Sequence, residues 1–273
     1  MIVWNGEHMR KQHNFKKQFG QNFLKNVDAI LHTIEALELK EGDYVIEIGP
    51  GDGRLTEYLI NEPIELRAIE VDDELIPLLQ GKFANYANFK LIHKDVLKIL
   101  DEELIGIENF KVVGNLPYNI SKPIIKKFIE LENRPEMMVF TLQKEVARDY
   151  CAEAPKSSFL SNFVRVFYEV EYLRTIAKEN FYPVPKVDGG VIKLTKKSNP
   201  EISEKKYEDF VKFLKNSFRS PRKQMKGVLK NIYREVNWPR AFEGAGIKLT
   251  ARASELRFED FVNLFHHLDS RVK

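Results

Sequence analysis

Between Val27 and Leu142, short apolar runs alternate with stretches of helical spacing, and this alternation constrains the fold more than any other feature of the 273 residues. The run Tyr44-Val45-Ile46-Glu47-Ile48 predicts a buried strand. Before it lie a predicted helix over Val27 to Leu39, with apolar residues at Val27, Ile30, Leu31, Ile34 and Leu37, and the turn Glu41-Gly42-Asp43. Further strands are predicted at Glu65 to Val71, Phe89 to His93, Phe110 to Val113 and Met137 to Leu142, with helices from about Leu55 to Ile60, Asp73 to Phe83 and Pro123 to Leu131. Strands separated by helices give a parallel sheet through right-handed crossovers. A helix after Gln143, another from about Phe159 to Phe167, and strands near Val170 to Ile176 and Val191 to Thr195 follow. The polar stretch Lys196-Lys197-Ser198-Asn199-Pro200 reads as a linker into an all-helical tail. The fold class is therefore α/β, with a sheet-based domain over 1–197 and a small helical domain over 198–273.

At 43% hydrophobic and 30% charged residues, the chain can build one good core plus a small second domain. Met1 to Lys17 is polar and basic with no apolar signal-peptide core, and no later stretch approaches the roughly 20 apolar residues of a membrane span. A cytoplasmic protein without membrane association is expected. The lone Cys151 cannot form an internal disulfide, and the six histidines have no metal-type spacing, so no metal is expected. The net charge of +3 says little about partners, but its distribution says more. From Val211 to Arg234 the chain carries Lys212, Lys215, Arg219, Arg222, Lys223, Lys226, Lys230 and Arg234 with no acid, interleaved with Phe213, Leu214, Phe218, Val228, Leu229 and Ile232. Solvated helix faces usually mix both signs, so this basic amphipathic region points to phosphate contact.

The segment Glu47-Ile48-Gly49-Pro50-Gly51-Asp52-Gly53-Arg54-Leu55-Thr56 is a glycine-rich turn that leaves the first strand and opens a helix, letting a ligand approach bare backbone. A dinucleotide fingerprint would want glycine at position 54, where Arg54 stands; the alternate spacing of the glycines suits a nucleoside cofactor without a pyrophosphate. Glu70, ending the second strand, can accept the ribose hydroxyls of an adenosine. Asp95 follows the third strand and can accept from an adenine amino group, although a helix N-cap would use the same residue. All of these, with the segment after the fourth strand, fall at the carboxyl edge of one sheet, where open α/β sheets bind ligands.

That fourth-strand segment, Gly114-Asn115-Leu116-Pro117-Tyr118-Asn119-Ile120-Ser121, is suited to clamping an amine. Pro117 pushes Leu116 into an extended conformation and holds its carbonyl beside the Asn115 side-chain oxygen. An aromatic amine can donate one hydrogen to each while its ring stacks on Tyr118. So held, its lone pair turns towards an electrophile, and transfer from a sulfonium methyl needs positioning more than a general base.

Asn115-Leu116-Pro117-Tyr118, with Gly20-Gln21-Asn22-Phe23-Leu24 upstream and Phe181-Tyr182-Pro183-Val184-Pro185-Lys186-Val187 downstream, resembles the rRNA adenine N6-dimethyltransferase family of KsgA type. The resemblance runs from about Phe19 to the C-terminal helices. It implies a Rossmann-like fold and transfer of two methyl groups from S-adenosylmethionine, leaving S-adenosylhomocysteine, to N6 of each of two adjacent adenosines near the 3′ end of small-subunit rRNA. The partner it implies is that rRNA within an assembling ribosomal particle; a monomer is the default. It further implies that Asn22, Leu24, Gly49, Gly51, Glu70, Asp95 and Asn115 contact the cofactor, that Asn115 and Leu116 hold the target amine, and that Tyr118 and Phe181 sandwich the flipped adenine. Arg219, Arg222, Lys223 and Lys226, with Lys16 and Lys17, are expected to bind RNA backbone. Two departures stand out: Asp188 is followed by Gly189 where many relatives have Ser, and Met1 to Lys11 form an extension outside the pattern. The alternatives are a large-subunit rRNA methyltransferase of the antibiotic-resistance type, against which the roughly 75-residue tail argues, and a non-catalytic assembly factor, which would show a damaged cofactor edge.

Overall fold

The computed structural model describes residues 22–99, 108–117 and 120–269. Tyr118, Lys16, Lys17, Gly20, Gln21 and the extension Met1 to Lys11 lie outside them. The chain splits into two compact units, one comprising residues up to Lys144 with Leu173–Lys193, the other Glu145–Tyr172 with Leu194–Lys273. The division thus does not fall at a single point near residue 197: Glu145–Tyr172 goes with the tail.

In the first unit, β1 (Phe23–Leu24) leads into α1 (Val27–Glu35), β2 (Tyr44–Ile48), α2 (Arg54–Leu59), β3 (Glu65–Glu70), α3 (Ile76–Phe83), β4 (Phe89–His93), β5 (Phe110–Asn115), α4 (Ser121–Glu130) and β6 (Met137–Gln143). After α5 (Lys144–Tyr150) and α6 (Phe159–Val164) come β7 (Tyr168–Ile176), β8 (Phe181–Tyr182) and β9 (Gly189–Lys196). The main sheet has the order β4-β3-β2-β5-β6-β9-β7, parallel from β4 to β6 but mixed overall, so the parallel reading holds for its first five strands. β9 slots between β6 and β7, which a simple strand-helix alternation does not produce. Val45, Ile46, Leu66, Ala68, Val112 and Val139 are fully buried, as expected of strands covered on both faces. Among the described residues no helix is long and apolar enough to cross a membrane.

Helix α1 starts at an Asn26 cap, whose side chain accepts from the Ala29 amide at 2.8 Å, and buries Ala29, Ile30, Thr33 and Ile34. Val27 and Leu31 are exposed instead of joining the apolar stripe. The helix also stops short of Leu39. Glu38 adopts φ +49, its carbonyl accepts from Lys111 Nζ at 2.8 Å, and its carboxylate pairs with Lys193. Lys111 is fully buried on β5 and reaches Asp43 at 2.7 Å, so a cation inside an apolar strand is compensated at both contacts.

In the second unit, α7 (Tyr207–Ser217), α8 (Met225–Leu229), α9 (Trp238–Gly244) and α10 (Phe258–Asp269) enclose an aromatic core. Phe210 meets Phe265 at 5.1 Å, Phe213 meets Phe265 at 5.8 Å and Phe218 meets Phe261 at 5.3 Å between ring centroids.

Candidate active site

Four strand ends of the first unit, those of β2, β3, β4 and β5, and the Asn22–Phe23 segment converge on one cleft. Asn22, Gly49, Glu70, Asp95, Asn115 and Leu116 all line it. The glycine turn is held in shape by left-handed backbone at Gly49 (φ +64), Gly51 (φ +62) and Gly53 (φ +84). Around Gly49 nothing lies within 4 Å of where a side chain would begin, so its backbone is open to a ligand, whereas a Cβ on Gly51 would sit 2.6 Å from the Phe23 ring.

Glu70 is oriented by backbone donors: Oε1 accepts from Val71 and Asp72 amides at 2.8 and 2.9 Å, and Oε2 accepts from Gly51 at 3.3 Å. Burial pushes its pKa up, opposed by these three N–H groups. Asp95 Oδ1 caps a short turn by accepting from Leu97 at 2.9 Å, so the capping role exists alongside its place in the cleft wall. Beneath the turn, Glu47 is fully buried on β2 and accepts from Thr56 Oγ1 at 2.7 Å. Burial, with Glu70 and Asp52 nearby, raises its pKa to about 8.

Asn115, ending β5, donates from Nδ2 to the Asn22 carbonyl at 2.6 Å. With the amide nitrogen so engaged, Oδ1 is left as the acceptor at the clamp. Leu116 donates its own amide to the Thr141 carbonyl at 3.0 Å, anchoring the adjacent backbone to β6. Asn115, Leu116 and Pro117 share the cleft wall with Glu70 and Asp95, giving a set of hydrogen-bond acceptors that fits the hydroxyls and amino group of an adenosine, with a further acceptor at the reactive end.

The downstream motif is tied to the upstream one. β1 and β8 form a two-stranded antiparallel sheet, Phe23 opposite Tyr182 and Leu24 opposite Phe181, extended by Lys25 N–H to the Asn180 carbonyl at 2.7 Å and by Asn26 to the Asn180 side chain at 3.0 Å. Phe181 is nevertheless fully buried in the core, and a Cβ on Gly189 would lie only 2.8 Å from its ring and 3.4 Å from the Thr141 methyl. The ring therefore presents no open face to a base in this structure, and Gly189 is what gives it room. Leu24 lines a recess beside the cleft.

Within the second unit, the basic region is not one continuous helix. α7 ends at Ser217 and α8 begins at Met225, with Ser220-Pro221 in the interval. Arg219, Arg222 and Lys223 are exposed in this turn, and Lys226 is half-buried on α8.

Sequence reasoning missed the Glu47–Thr56 bond and the β1–β8 pairing. An acid inside an apolar strand was the available signal for the first; nothing local signals a pairing of residues more than 150 positions apart.

A family model described as ribosomal RNA adenine dimethylase matches residues 12–270. A protein of Sulfurihydrogenibium sp. named ribosomal RNA small subunit methyltransferase A is 38% identical over 256 residues, 92% of this chain and 95% of that one. One of the same name from Clostridium acetobutylicum is 33% identical over 270 residues, covering 97% and 98%. The solved structure of the 23S rRNA methyltransferase ErmE aligns with a TM-score of 0.77 at 26% identity over 90% of this chain and 99% of its own. That of a Plasmodium falciparum dimethyladenosine transferase aligns at 0.79 over 91% and 98%, at 24% identity, a likeness of fold. The cleft's ordered strand-end residues and a family match spanning both compact units agree: this chain belongs to the ribosomal RNA adenine dimethylase family.

Proposed function

We propose that this chain dimethylates N6 of two adjacent adenosines near the 3′ end of small-subunit rRNA, using S-adenosylmethionine. The observation that carries the reading is Asn115: its Nδ2 is committed to the Asn22 carbonyl, which turns Oδ1 into a fixed acceptor on the wall that also holds Glu70 and Asp95. The cofactor supplies an activated methyl on a sulfonium, so the protein's task is positioning. Gly49, Gly51, Glu70 and Asp95 with Asn22 and Leu24 hold the donor, and Asn115 and the Leu116 carbonyl accept the two amine hydrogens. Tyr118 stacks on the flipped adenine, and the buried Phe181 supports the wall of the site through its pairing with Leu24 in the β1–β8 sheet. Arg219, Arg222, Lys223 and Lys226 bind the RNA backbone, and the substrate is an assembling particle met by a cytoplasmic monomer.

Identity favours the small-subunit substrate, since relatives so named reach 38% over 92% of the chain against 26% for ErmE. The test is methyl transfer from labelled S-adenosylmethionine to small-subunit particles lacking adenine dimethylation, with large-subunit RNA in parallel and the modified nucleoside identified by mass. Dimethyladenosine in the small subunit is expected. Product in large-subunit RNA, or RNA binding without product, overturns the reading.

A further inference from the structure

Past Gly49 and Asn115 the cleft continues into a smaller recess beneath the glycine turn; Phe23, Gly49 and Asn115 line both spaces. A donor with its adenosine at Glu70 and Asp95 and its sulfonium beside Asn115 has one part unplaced, a zwitterionic amino acid tail. The recess is the space on the far side of Asn115. Its wall offers charges that such a tail can meet: Asp52, and Arg54, the single cation among the described residues that line it.

Arg54 is the first residue of α2 and is held at one end only. Its Nε donates to Asp52 Oδ2 at 2.8 Å, and its backbone N–H donates to the same carboxylate, which is buried. Both terminal guanidinium nitrogens are without a partner among the described residues. A guanidinium fixed through Nε presents its remaining donors as a fork that matches a carboxylate. A helix-opening ion pair of purely structural role would need Nε alone and would not need the side chain to border the recess.

We propose that Arg54 is a positioning residue for the methyl donor, binding the α-carboxylate of its methionine tail and so setting how far the sulfonium reaches along the cleft. The inference rests on the reading that this cleft holds S-adenosylmethionine.

Calorimetric binding of three compounds by the full-length wild-type, Arg54→Gln and Arg54→Lys proteins tests it: S-adenosylhomocysteine, its decarboxylated analogue that keeps the amine, and 5′-methylthioadenosine, which lacks both groups. Arg54→Gln is expected to weaken S-adenosylhomocysteine about 10- to 100-fold, the range for losing a charge-assisted hydrogen bond, and to leave the other two within about twofold. Arg54→Lys should fall between. Because each variant is compared with itself across ligands, partial unfolding does not alter the ratio. Equal weakening of all three compounds, or no change for S-adenosylhomocysteine, overturns the role of Arg54 while the cofactor reading survives. Failure of the wild type to bind any of the three removes both.

Discussion

The glycine-turn cleft and the basic stretch from Lys212 to Arg234 carry charge in opposite ways. In the cleft, Asp52 and Glu70 are each buried, and each is bonded to a named donor: Arg54, or the amides of Gly51, Val71 and Asp72. Along the basic stretch, Lys212, Lys215, Arg219, Arg222, Lys223, Lys230 and Arg234 are exposed and form no ion pair among the described residues. Buried, bonded charge is rigid and reads the position of individual atoms; exposed, unpaired charge reads a polyanion at long range and is screened by salt. On the proposed reading, selectivity belongs to the first region and salt-sensitive affinity to the second.

The largest effect should come from Asn115→Ala. Removing the acceptor leaves the amine held at one point, and a misplacement of this kind costs on the order of 100-fold in rate. Single-turnover methyl transfer should fall by at least that much while RNA binding stays unchanged. A wild-type rate would break the clamp argument.

Glycine substitutions give the two regions opposite signs. Gly51→Ala places a methyl at φ +62 and 2.6 Å from the Phe23 ring, so a loss of about 2 kcal/mol in unfolding free energy is expected from overpacking and backbone strain, with weaker S-adenosylhomocysteine binding. Gly227→Ala on α8 meets nothing within 4 Å and should stabilise by roughly 0.5–1 kcal/mol, with cofactor binding untouched. Chemical denaturation of both variants measures the pair; loss in both would mean that the α8 surface is as tightly fitted as the cleft.

Glu47 supplies a pH signature. Its pKa rises from 4.5 to about 8, so the folded state keeps a proton that the unfolded chain releases. The resulting stability is fully present below pH 4.5 and is lost as pH rises towards 8, with a limiting slope of about 1.4 kcal/mol per pH unit for one proton. Glu47→Gln resembles the protonated form and retains an acceptor for Thr56, so its melting temperature should fall less steeply between pH 5.5 and 8. Parallel curves for the two proteins would show that Glu47 is ionised in its buried site.

The strand-end logic was legible because it is local. β2 and β4 have the predicted limits, and the glycines, Glu70, Asp95 and Asn115 reach one cleft because each follows a strand of the same sheet. Illegible features depend on distant packing. Phe181 opens the downstream motif in the sequence, yet its ring is buried beside Gly189, a residue eight positions further on whose missing side chain leaves the space. Glu145–Tyr172 joins the tail's compact unit, although its spacing of apolar residues looks like a continuation of the sheet domain. The end of α1 is set by Glu38, held by lysines of β5 and β9, rather than by any stop signal near Leu39.

The smallest expected effect is also the sharpest test of the division of labour. Arg222 lies exposed in the turn between α7 and α8, so Arg222→Glu should leave folding and S-adenosylhomocysteine affinity unchanged. If Arg222 neutralises one phosphate, the plot of log affinity for RNA against log salt loses roughly one unit of slope, and affinity at about 0.1 M salt drops by a few-fold. The gap between variant and wild type should therefore narrow as salt rises, which a lost base contact would not do. Equal weakening of RNA and cofactor would instead show that the turn communicates with the cleft, and the separation of selectivity from affinity would not hold.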